Sequence, residues 1–286
     1  MTGDASWNLV SDIQDMWSLP FMVNAYRAGT VVAVLSAAIG YFMFLRRQTF
    51  AGHTLSVVGF PGAAGAIWLG ISATYGYFAF CLTAAVAIAA APLRGRSRAD
   101  QSALIGTVQA FALACGFLFV ALYRGFLGGT TTLLFGSFLG ITSTQVLALV
   151  VVAAVVLLVL ALAGRPLLFA SVDPDVAQAH GVAVRAVDVG FLLLLGAAVA
   201  ETAQITGVLL VFTLLVLPPA TAQRLTARPA RAVAVAVALA VVTTWLALGI
   251  AFYSPYPFGF WLSSLAFGEY VVVVAAVAAL RVRRTC

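Results

Sequence analysis

The sequence contains no lysine. A phosphate-binding loop of the G-x-x-x-x-G-K kind needs one, so the chain has no such nucleotide site of its own. Charge is scarce altogether: 8% of the 286 residues are charged, against about 25% in an ordinary soluble domain. Metal-storage chemistry is equally sparse. The two histidines, His53 and His180, and the three cysteines, Cys81, Cys115 and Cys286, stand far apart, without the close spacing of a structural metal site. Cys81 and Cys115 lie inside apolar runs and read as small buried hydrophobes. No H-E-x-x-H and no nucleophile–base pair stands on any helical pattern, which tells against an intramembrane enzyme. The first twenty residues lack a basic region and carry Asp4, Asp12 and Asp15, so no cleavable signal is expected.

What is present is apolar surface: 63% of the chain is hydrophobic. Runs long enough to cross a bilayer, about 20 residues each, recur along the whole length. They are Phe21–Leu45, Phe50–Gly70, Tyr75–Pro92, Gln101–Tyr123, Gln145–Gly164, Val187–Ala200, Gln204–Ala222, Ala232–Phe252 and Phe258–Leu280. The expected class is all-α, a polytopic integral membrane protein of about nine transmembrane helices. Val187–Ala200 falls short of a full crossing, so a broken or half-buried helix is expected there.

The net charge of +6 comes entirely from arginines placed between apolar runs, which read as topology signals rather than as a nucleic-acid surface. Alternate connections collect Arg46 and Arg47; Arg94, Arg96 and Arg98; Arg165 and Arg185; Arg224, Arg228 and Arg231; and Arg281, Arg283 and Arg284, leaving only Arg27 and Arg124 opposite. The excess marks the cytoplasmic face. The N-terminus is then outside, the C-terminus inside, and the number of crossings odd. Residues 1–20, with Trp7 and Trp17 among acids, read as an extracytoplasmic interfacial segment. Residues 21–284 read as a single transmembrane domain. The glycine-interrupted stretch Arg124–Thr142 is expected to hold a short helix over the outer mouth.

Few residues can carry chemistry. Glu201 lies in "AAVAETAQITGVLLVF". A carboxylate at a helix centre costs about 2.5–3.5 kcal/mol to insert, so it faces protein or water. Two readings stand: a cation contact on a translocation path, or a solvated group at the outer end of a short crossing. Gln204 shares its face at i, i+3, and Thr206 follows. Glu269, after Gly268, is expected to satisfy backbone donors at a helix break. His53 fits a metal ligand, a proton-coupled group or a hydrogen-bonded core histidine. It stands only a few residues from the Arg46–Arg47 pair, nearer the inner mouth than the midplane.

The connection "FASVDPDVAQAHGVAVRAVD" (Phe169–Asp188) predicts a short exposed cytoplasmic helix, Pro174–His180. Asp173 is placed to cap it, Pro174 occupies its first turn, and Gly181 ends it. A helix capped at both ends fits a docking element better than a linker. His180 then reads as a surface residue near that contact. Pro218 and Pro219, near the inner end of another crossing, free backbone carbonyls and mark a gate or a fixed bend.

Taken together, these stretches resemble the permease subunit of bacterial ABC importers for divalent transition metals, the zinc, manganese and iron uptake group. "FMVNAYRAGTVVAVLSAAIGYFMFLRRQTFAGHTLSVVGFPGAAGA" is similar to that family's opening crossings, "VDPDVAQAHGV" to its cytoplasmic coupling segment, and "QITGVLLVFTLLVLPPATAQRL" to a late crossing. The likeness runs from about Phe21 to Arg284. It implies two permease copies enclosing a path in the bacterial cytoplasmic membrane. Two separate cytoplasmic ATPase subunits would dock on Asp173, Pro174, Asp175, Ala177, His180 and Gly181, and an extracytoplasmic binding protein would deliver the ion. No resident cofactor and no catalytic residue are implied; zinc, with manganese second, is the cargo.

His53, Ser56, Glu201, Gln204 and Thr206 are the pathway candidates, and Pro61, Pro218 and Pro219 the gate or bend candidates. The family pattern "G-D-x-L-S-H" is rewritten here, with His53 in place of the aspartate and Val57 in place of the histidine; Pro219 replaces an alanine. The rival readings are a permease for a chelate or vitamin, which predicts a wider cavity, and a proton-coupled secondary transporter relaying through Glu201 and His53. The second leaves the capped cytoplasmic helix without a purpose.

Overall fold

The computed structural model describes residues 16–90, 98–123, 133–136 and 140–285. Among these the chain is helical, with no strand. Ten helices follow in order: α1 (Pro20–Leu45), α2 (Thr49–Trp68), α3 (Ala73–Ala90), α4 (Arg98–Leu122), α5 (Ser143–Val172), α6 (Pro174–Ala179), α7 (Val184–Thr206), α8 (Val208–Leu225), α9 (Pro229–Tyr253) and α10 (Phe258–Thr285). All except α6 are long and apolar enough to cross a membrane. The nine crossings expected from the sequence are therefore present. Arg94, Arg96 and Arg124, most of the 1–20 segment and most of Arg124–Thr142 lie outside the described residues. Of the last stretch, one helical turn at 133–135 is described.

Three expectations are corrected. Val187–Ala200 is no broken helix but the middle of the continuous 23-residue α7. The run looks short because Asp188 and Glu201 bound it, yet the helix carries both: Asp188 pairs with Arg46 and Glu201 is buried. Gln145–Gly164 belongs to the longer α5, which continues through Pro166 to Val172. Glu269 marks no helix break, since α10 runs through it and its Oε2 accepts a hydrogen bond from Thr243 Oγ1 of α9 at 2.8 Å.

The chain forms two compact units, one of Met1–Tyr41, Ser137–Val151 and Thr213–Cys286, the other of Phe42–Gly136 and Val152–Phe212. In the first, α9 packs on α10. The part of α8 in this unit carries Pro218 and Pro219 without losing its helix. Proline at 219 deprives the Leu215 carbonyl of its donor four residues on. That carbonyl lies against Gly40 of α1, where a Cβ would clash with it. A helix with a freed carbonyl thus meets a helix with no side chain at the contact. In the second unit α2 packs on α3, α4 and α7. Gly62 of α2 and Gly76 of α3 bring their backbones together so closely that neither admits a Cβ. Small residues at such crossings allow membrane helices the close approach that packing without a hydrophobic driving force requires.

Candidate functional site

Every pathway candidate lies in the second unit, on two helices that pack together: His53 and Ser56 on α2, Glu201, Gln204 and Thr206 on α7. Their hydrogen bonds divide them. Ser56 donates to His53 O at 2.7 Å, a local bond one turn back. Gln204 Oε1 accepts from Thr74 Oγ1 at 2.9 Å, and its Nε2 donates to Ala200 O at 3.4 Å. Thr206 donates to Thr202 O at 3.0 Å. Ser56 and Thr206 are thus tied into the helices that carry them, and Gln204 bridges α7 to Thr74 of α3.

His53 and Glu201 are different. Glu201 is 1% exposed, and its Oε1 has no hydrogen-bond partner. That removes the reading of a solvated group at a helix end. His53 is half-buried; its ring meets Phe212 edge-on at 5.0 Å, and Nδ1 has no partner. Buried polar atoms without partners are rare and call for an explanation. A carboxylate oxygen and an imidazole nitrogen are both good donors to a divalent transition-metal ion. Among the described residues no three His, Cys, Asp or Glu side chains gather in one place. Pro61 lies inside α2, buried, with helix on both sides, and packs against Gly116 of α4.

The far end of α7 sets the position of Glu201. Gly207 takes φ 76°, ψ 156°, a conformation open to glycine almost alone. It lets α8 begin one residue after α7 ends. Gly136, at φ 77°, packs backbone to backbone on this junction, and a Cβ on either glycine would clash with the other segment. Tyr77 of α3 donates to Leu133 O at 3.4 Å and holds the same segment. Nothing in the apolar patterning of the sequence pointed to this junction. Gly207→Ala is expected to cost roughly 1–3 kcal/mol in strain alone, lowering the midpoint of thermal unfolding in detergent by several degrees. An unchanged midpoint would show that the junction relaxes freely.

At the other end of α7 lies α6, one residue shorter than expected. Asp173 accepts from Val176 N at 3.0 Å and Pro174 opens the helix. His180 is the C-cap, Gly181 turns the chain at φ 85°, and Val182 N donates to Ala177 O at 3.0 Å. Ala177 is fully buried in an apolar cluster with Ala170 and Val184. Pro174, Asp175, Val176, Gln178, Ala179 and His180 are exposed. His180 rests edge-on against Phe169, ring centroids 5.7 Å apart. The inner side is thus packed through one alanine, and the outer side is exposed.

Among the described residues, nine membrane-length helices, a buried carboxylate with one unpartnered oxygen and a capped helix between two of them define a polytopic membrane protein. The chain belongs to the ABC 3 transport family, which it matches over residues 18–280. It is 30% identical to the manganese transport system membrane protein MntC of Halalkalibacterium halodurans, over 77% of this chain and 75% of that protein. It is 27% identical to the high-affinity zinc uptake system membrane protein ZnuB of Haemophilus influenzae, over 77% of this chain and 83% of that protein. Its fold is similar to that of PsaBC from Streptococcus pneumoniae in complex with Fab, with a TM-score of 0.82 at 24% identity, covering 93% of this chain and 95% of that one.

Proposed function

We propose that the chain is the permease subunit of an ATP-driven importer that moves a divalent transition-metal ion across the bacterial cytoplasmic membrane. The observation that carries this reading is the buried, unpartnered Oε1 of Glu201 in a member of the ABC 3 transport family. Two copies enclose the path, N-termini outside and C-termini inside. A separate ATPase subunit docks on the exposed side of each α6, and an extracytoplasmic binding protein delivers the ion. ATP-driven closure of the ATPases switches the path from outward- to inward-facing, and the chain itself performs no catalysis.

Zinc is the proposed cargo. His53 offers an imidazole, which suits zinc, where manganese prefers carboxylate, carbonyl and water oxygens. Manganese is the second reading, favoured by the relative of 30% identity named for its transport. Cellular zinc and manganese, measured under metal limitation in cells lacking this chain and in cells restored with it, decide between them. Zinc alone is expected to fall and recover. A fall in manganese alone corrects the cargo, and no change in either metal overturns the metal-importer reading.

A further inference from the structure

One buried cation belongs neither to the proposed path nor to the α6 surface. Arg46 follows α1 directly, in a turn where Arg47 takes φ 57°. Its side chain is only 6% exposed. Nη1 donates to Ser171 Oγ at 3.2 Å, Nη2 donates to Asp188 Oδ1 in an ion pair, and the guanidinium carbon lies 5.4 Å over the Phe191 ring. Burial pushes the guanidinium below its ordinary range, and the Asp188 carboxylate opposes that loss of charge.

The location of these partners matters more than their number. Ser171 is on the last turn of α5, and Asp188 and Phe191 are on the first turns of α7. Only α6 with its two capping turns lies between those helices in sequence. One cation therefore joins both stems of the α5–α6–α7 segment. Beneath it, Ala170, Ala177 and Val184 bury the inner side of α6, with Val182 and Val187 packed on them. A surface ion pair contributes little to stability, and the Asp188 side chain is 45% exposed; the buried arginine side chain, however, meets three partners at once, on elements far apart in sequence, and so fixes their relative position.

We propose that Arg46 is a positioning residue for transport: by clamping the stems of α6 together, it passes displacement of α6 on to α7 instead of letting the stems flex. The proposal rests on the reading that α6 receives the ATPase. Helix α7 is unbroken from Val184 to Thr206, so a push at Asp188 reaches Glu201 along about 20 Å of continuous helix. Without the clamp the ATPase still binds, because the exposed side of α6 is untouched, but its movement is absorbed locally.

The test uses the whole assembly, purified through a tag on this chain and reconstituted in proteoliposomes with zinc as the probe ion. Three quantities are read: ATPase subunit recovered with the chain, ATP hydrolysed, and zinc moved per ATP. Arg46→Ala and Asp188→Ala are expected to keep ATPase recovery within about twofold of wild type while lowering zinc moved per ATP about fivefold or more. The exchange Arg46→Asp with Asp188→Arg is expected to restore at least about half of the ratio, as a pairwise interaction requires. Arg47→Ala, at the neighbouring exposed arginine, is expected to leave it unchanged.

Should Arg46→Ala not accumulate as folded chain in the membrane, amide exchange across residues 173–184 in Asp188→Asn carries the question, with faster exchange expected than in wild type. An unchanged zinc-per-ATP ratio in the alanine variants, or unchanged exchange in Asp188→Asn, overturns the proposal. Loss of ATPase recovery in Arg46→Ala also overturns it, because the residue would then build the docking surface. If the wild-type chain recovers no ATPase at all, the importer reading fails and the proposal with it.

Discussion

Replacing Glu201 by glutamine is expected to cut zinc uptake by about tenfold or more, the equivalent of at least roughly 1.4 kcal/mol in the energy of the passing ion, while the chain remains in the membrane and assembled. The substitution keeps shape and volume and removes the ability to carry a negative charge. In the resting protein such a charge is costly at this place: Glu201 is 1% exposed, and its Oε1 lacks a partner. A buried ionisable group is retained at such a cost when something charged uses it. The amide is thus expected to make the protein at least as stable as wild type, by thermal unfolding in detergent, while transport falls. Stability and activity moving in opposite directions separates a pathway ligand from a structural group, whose loss would lower both. Glu201→Asp, which retains the charge on a shorter stem, is expected to keep part of the uptake. If Glu201→Gln carries zinc at the wild-type rate, the ion passes elsewhere and Glu201 has a structural role.

The sequence made some of this legible because some rules are local. The α6 helix is set by residues within a few positions of one another, an Asp cap, a proline and a terminating glycine, so it was readable to within one residue. The nine crossings were readable because apolar length is a property of a stretch, not of its neighbours. What escaped depends on partners far along the chain. Val187–Ala200 looked too short because Asp188 and Glu201 stand as charges in the sequence, yet Asp188 is neutralised by an arginine 142 positions away. Arg46 itself read as one of many topology signals, since nothing local reveals that its side chain turns inward. Glu269 was placed at a break because glycine precedes it, and only the packing of α9 on α10 supplies Thr243 as donor. The Gly136–Gly207 contact joins a loop to a helix junction, which no periodicity reports. Of the pathway candidates, the sequence named five oxygen- or nitrogen-bearing side chains. Hydrogen-bond partners divide them into three that are occupied, Gln204 by Thr74 of another helix, and two, His53 and Glu201, that each keep a buried atom without a partner.

Ala177→Glu is expected to abolish uptake by a different route, through loss of the ATPase. Ala177 is fully buried between Ala170 and Val184. A carboxylate forced into that cluster faces several kcal/mol of desolvation. The less costly outcome is rotation or release of the six-residue α6, too short to be stable without its packing. The outer side, Asp175, Val176, Gln178 and Ala179, then no longer stands at a fixed angle. Recovery of the ATPase with the tagged chain is expected to fall about tenfold or more, and uptake with it. Ala177→Ser, which adds one oxygen within reach of helix carbonyls, is expected to leave both near wild type. Full ATPase recovery with Ala177→Glu would mean that the ATPase docks elsewhere. The contrast with the Arg46 variants is the informative part. If α6 receives the ATPase as proposed, the buried alanine of α6 decides whether the ATPase binds and the cation joining the stems decides what its binding moves, so the two lesions would separate attachment from transmission within one short segment.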